Sequence, residues 1–195
     1  MTINLIESIQ KNLGYPELQK IDPNTQDVKH ESSTQGHGNL AQAAIPAVLT
    51  GLYKYGNTEQ GSEHILRGER SADWLSIFFG DNKQTAVQKV SSYSDEAVES
   101  TGQKMEEIAS EAVRLIRENT ASSATFSDVK AFVAQQRTNI LVYLPAELQL
   151  GSLIDDNTLD DQTNKMEGPM SSHMHFFEKL FSGSTTEKNE RPDPE

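Results

Sequence analysis

Apolar residues recur along this chain at alternating steps of three and four, the spacing that lines one face of an α-helix. The clearest run is Ser94 to Asn119, where Val98, Thr101, Met105, Ile108, Ala112 and Leu115 share a face. Ser94 is placed to cap its start. Asp95 and Glu96 fall in the first turn and Arg114 and Arg117 in the last, each where the helix dipole favours its sign. A second helix is expected from Phe126 to Leu144. Its apolar face is Phe126, Val129, Phe132, Val133, Ile140 and Leu144, with Thr125 and Asp128 as a capping pair and Pro145 as the stop. A third is expected over 39–55, with Leu40, Ala44, Ala47, Val48, Gly51 and Tyr55 aligned and a kink or fresh start at Pro46. Shorter helices are expected at 2–13, 16–21, 59–66, 72–79 and 82–92, punctuated by Gly14, Gly56, Gly68 and Gly80.

No alternating strand pattern exceeds a few residues, so the fold class is all-α: a multihelical orthogonal bundle with a helical C-terminal extension. The expected organisation is a domain over 1–150, an acidic extension with an amphipathic helix over 151–182, and a disordered tail over 183–195. Residues 22–38 read as a polar loop. Leu5, Ile6 and Ile9, then Leu18 to Ile21, resemble Trp74, Leu75 and Phe78, then Val87 to Val90, at a constant offset of 69. Two pseudo-repeated three-helix units would produce this echo, and so would chance likeness between amphipathic helices.

Composition narrows the function. With no cysteine among 195 residues, disulfides, thiolate metal sites and a cysteine nucleophile are excluded. The net charge is −12, and residues 151–195 alone carry ten acids against four bases. Such a surface repels phosphate backbones and anionic lipid, so neither nucleic acid nor a membrane surface is an expected partner. No segment approaches the length of a membrane span, and the N-terminus, with Glu7 and Lys11 in its apolar pattern, does not read as a signal peptide; a cytoplasmic protein is the expectation.

Ile45-Pro46-Ala47-Val48-Leu49-Thr50-Gly51-Leu52, then Gly61 and Leu66, then Ile77-Phe78-Phe79-Gly80-Asp81, form one set of motifs. Gln135-Gln136-Arg137-Thr138-Asn139-Ile140-Leu141 and Leu144-Pro145-Ala146-Glu147-Leu148 form another. Together they resemble the pattern of the YidB-like bacterial proteins, a family of unknown function, over about residues 3–153. The resemblance implies a compact multihelical fold of bacterial origin and implies no activity. The chain departs from the pattern at Glu147-Leu148, where glycine is commoner, and in lacking a proline over 105–116. The acidic extension is not part of the shared core.

No phosphate-cradling glycine loop or serine nucleophile elbow is present. The stretch 155–167 offers Asp156, Asp160, Asn164 and Glu167 at EF-hand positions, yet Asp161 stands where the loop needs glycine. A helix start capped by Thr158 explains it as well. His173 and His175 are two apart and cannot share a metal; His175 and Glu178 could, without a second half-site. His30, His37 and His64 lie in or near loops with no ligand spacing. Of Tyr53 and Tyr55, one is expected buried and the other exposed. No cofactor, metal or catalytic residue is therefore assigned.

The segment Pro169 to Phe181 aligns Met170, Met174, Phe177 and Phe181 on one face, beside His173 and Leu180. Such a stripe either docks on its own domain or fills a groove on another chain, and these four residues are the candidate partner-binding set. The expected function is a non-enzymatic protein-interaction or self-assembly module. A small-molecule or lipid-binding helical module and an enzyme of unrecognised kind are the alternatives.

Overall fold

The structure is a computed structural model, and it describes residues 3–21, 37–68, 73–120 and 123–151. The chain divides into two units, 1–160 and 161–195, and every described residue belongs to the first. The expected extension helix, the candidate residues Met170, Met174, Phe177 and Phe181, the Asp-rich stretch and the acidic tail lie outside the described residues.

The described residues form an all-α bundle without strands. Its helices are α1 (Leu5–Leu13), α2 (His37–Gly56), α3 (Glu59–Arg67), α4 (Trp74–Phe79), α5 (Lys83–Ser94), α6 (Val98–Asn119), α7 (Phe126–Gln135) and α8 (Arg137–Leu141), with short 3-10 turns at Gly80–Asn82 and Ala146–Leu148.

α2 is the axis, and each of the other seven helices packs against it. Leu40 to Leu52 is buried at every position, so the stripe expected there is in fact a helix covered all round. The reason is in the sequence: the run carries no charge, and its few polar side chains have partners. The Thr50 hydroxyl donates to the Pro46 carbonyl at 2.8 Å, and the helix continues through Pro46 without a fresh start.

Gln42 shows why residues 16–21 are not the helix their spacing suggests. Its amide accepts from the Gln19 N–H at 2.8 Å and donates to the Gln19 carbonyl at 3.0 Å. It also donates to the Tyr143 carbonyl at 3.0 Å. The Ile21 N–H donates to the Val142 carbonyl at 2.9 Å. A side chain thus pairs this irregular segment as a neighbouring strand would, so Gln19 and Ile21 find backbone partners without a helix. The repeat accordingly fails in the middle. Leu5, Ile6 and Ile9 of α1 and Trp74, Leu75 and Phe78 of α4 are all buried, but 18–21 is non-helical while 87–90 lies in α5.

Gln136 ends α7 and divides the long helix expected to reach Leu144. Its side chain accepts from the Leu5 N–H at 3.1 Å and donates to the Ile3 carbonyl at 3.0 Å. Thr125 and Asp128 do form the capping box of α7. Ser94 is not the cap of α6. It closes α5, donating to the Val90 carbonyl at 2.8 Å, and Asp95 turns the chain with φ 56°.

Two close approaches set the helix packing. A Cβ on Gly61 would lie 1.9 Å from the Tyr55 carbonyl oxygen, and one on Gly51 would lie 2.8 Å from Phe79 Cζ. Only glycine lets α3 fold so tightly back on α2, and α4 lie so close across it.

Candidate functional site

Val98 and Phe126 were assigned to apolar core faces, yet they are the exposed large hydrophobic residues among those described, at 40% and 43%. Each is the first residue of its helix. Val98 stands at the lip of an open surface groove of about 660 Å³ between α4, α5 and α6.

The groove's apolar surface is Leu75 of α4, Val87 of α5, and Val98 and Gly102 of α6. Val98 and Gly102 are one helical turn apart and share a face. Polar groups close one end. The Glu106 carboxylate takes the Trp74 N–H at 2.8 Å and the Leu75 N–H at 3.0 Å, reaching from α6 to cap the start of α4. Asp73 takes the Ser76 N–H at 3.0 Å and its hydroxyl at 2.7 Å. Lys83 Nζ sits 2.6 Å from the same Asp73 carboxylate. Burial alone would push the Asp73 carboxyl up, but the Lys83 ammonium and both Ser76 donors together hold it well below the usual carboxylate range. These carboxylates anchor a helix start at its positive end. Glu99 completes an acidic rim with Asp73 and Glu106.

A second cluster joins three helices through rings. Tyr55 Oη lies 2.8 Å from His64 Nδ1. The His64 and Trp74 rings are 5.2 Å apart, Trp74 and Phe78 5.7 Å, and Tyr55 and Phe78 5.9 Å. Burial pushes the Tyr55 phenol up. The arrangement ties α2, α3 and α4 together; Trp74 and Phe78 are buried, and the tilted ring geometries are those of ordinary aromatic packing. His64 lies in the last turn of α3, within the helix expected over 59–66, and His37 opens α2. Tyr53 and Tyr55 are both half-buried, not one in and one out, because each sits on the last turns of α2 as it leaves the core.

Among the described residues, no group of three or more His, Asp or Glu is placed to hold a metal ion. No helix among them is long and apolar enough to cross a membrane. The groove was not foreseen from the sequence. Its one local signal was a valine at a helix start followed four residues later by a glycine, in a helix otherwise rich in good formers. Comparison of the chain with family models, with curated proteins and with solved structures finds no match.

Proposed function

We propose that this chain is a non-enzymatic protein-interaction or self-assembly module of the YidB-like kind, and that the α4–α5–α6 groove is where its partner binds. The observation that carries the reading is Val98, an aliphatic side chain 40% exposed at the lip of this groove. An exposed apolar surface of this kind gains free energy when a partner removes it from water. The YidB-like part of the reading is supported by the packing of its motif residues. Gly51 meets Phe78 and Phe79, and Gly61 meets the end of α2, so the short motifs mark places where helices touch.

Co-purification from the native host tests the proposal, comparing the full chain with Val98→Asp. Aspartate in a first helical turn favours the helix, so the variant keeps its fold and loses only the apolar lip. A stoichiometric companion, or a second copy, should accompany the full chain and be lost with Val98→Asp. Recovery of both forms as lone monomers contradicts the proposal.

A further inference from the structure

We infer that the groove's occupant is an amphipathic helix of a partner protein whose apolar stripe is flanked by lysine or arginine; this deepens the interaction reading above and rests on it. Three features point there. The first is Gly102. Glycine is among the poorest helix formers, and one in the interior of a long helix calls for a reason. At Gly51 and Gly61 the reason is contact: a Cβ would fall 2.8 Å and 1.9 Å from its nearest neighbour. At Gly102 a Cβ would meet only Val87 Cγ1, at 3.6 Å, an ordinary contact. The fold has room for alanine there. What the missing side chain does is deepen the groove.

The second feature is shape. Val98 and Gly102 lie one turn apart along α6, with Val87 and Leu75 across from them. Val87 and Leu75 are all but buried, so the open apolar part is a short strip at Val98 and Gly102 beside the α6 axis, which suits side chains presented one turn apart by a second helix. The third is charge. Asp73, Glu99 and Glu106 line the trough against Lys83 alone, on a chain of net charge −12. That field attracts a cationic partner and repels another copy of the same chain.

The test uses the full chain and a labelled amphipathic peptide of leucine and lysine, about 18 residues or five turns long. A scrambled peptide of identical composition is the control. Saturable binding of the amphipathic peptide alone is expected. Gly102→Ala should raise the melting temperature while weakening that binding about tenfold, since it restores helix propensity and fills the trough. Glu99→Lys should weaken binding and flatten its salt dependence. Equal binding of the scrambled peptide, or unchanged affinity in Gly102→Ala, overturns the inference. Light scattering separates the two readings. Dimers of the full chain that Gly102→Ala abolishes would keep the interaction module and replace the cationic helix by a second copy. Neither peptide binding nor dimers would remove both.

Discussion

Single residues hold this bundle together where helices alone would not. Thr101 has a fully buried hydroxyl with no hydrogen-bond partner, a cost that the apolar face of α6 carries for no structural return. Thr101→Val keeps the branched shape and removes the unpaired group. It should stabilise the protein by about 1 kcal/mol, which thermal denaturation would read as a rise of roughly 2–4 °C. Gln42 is the opposite case, because its amide satisfies both backbone groups of Gln19 and the Tyr143 carbonyl. Gln42→Leu leaves these groups unpaired against an apolar side chain. The expected loss is roughly 2–4 kcal/mol, measured by urea unfolding. A loss below about 0.5 kcal/mol would mean that the clamp is idle.

Among the elements, the periodic ones were legible and the paired ones were not. The face of α6 from Thr101 to Leu115 is buried as its spacing demands, and the capping box of α7 follows from Thr125 and Asp128 alone. The boundary between α5 and α6 was misread because Ser94 is a good cap by type, while the left-handed turn falls on Asp95. Segment 16–21 and the break at Gln136 were illegible for a different reason. Each depends on hydrogen bonds between a glutamine side chain and backbone far from it in sequence, which no local window contains. The groove belongs with these, since Leu75, Val87 and Gly102 are brought together from three helices.

The electrostatics of two carboxylates also makes a prediction. Hydrogen bonds from Arg114, working against burial, hold Glu111 below the usual carboxylate range, and the donors on Asp73 do the same there. Both carboxylates bind protons more weakly in the folded chain than in the unfolded one. Their stabilisation is therefore complete above the unfolded carboxylate pKa and is lost as pH falls through the folded values. The melting temperature should decline from about pH 5 downward. Asp73→Asn should lower it at pH 6 and make the acid decline shallower. An unchanged slope would show that the Asp73 cluster does not couple to folding.

At the scale of the molecule, a helix whose central run from Leu40 to Leu52 is charge-free packs against the seven other described helices, and the surface that results is uneven. Most of α6 is either core or ion-paired surface. Val98 in its first turn and Gly102 one turn on are neither: Val98 is open and Gly102 is not required by packing. An acidic rim surrounds them. Natural surfaces carry scattered apolar residues without consequence, but here an exposed valine, an unforced glycine and a trough of about 660 Å³ coincide. The sequence directed attention to Met170, Met174, Phe177 and Phe181 as the binding residues, and those lie outside the described part of the chain. The groove proposed above is independent of them. The most direct measurement is photo-crosslinking in the native host, with a reactive side chain at position 98 and, as control, at the exposed Glu63 of α3. A discrete protein adduct from position 98 and none from position 63 is the expected result. No adduct at 98, or the same adducts from both positions, would contradict the assignment of the groove as a binding site.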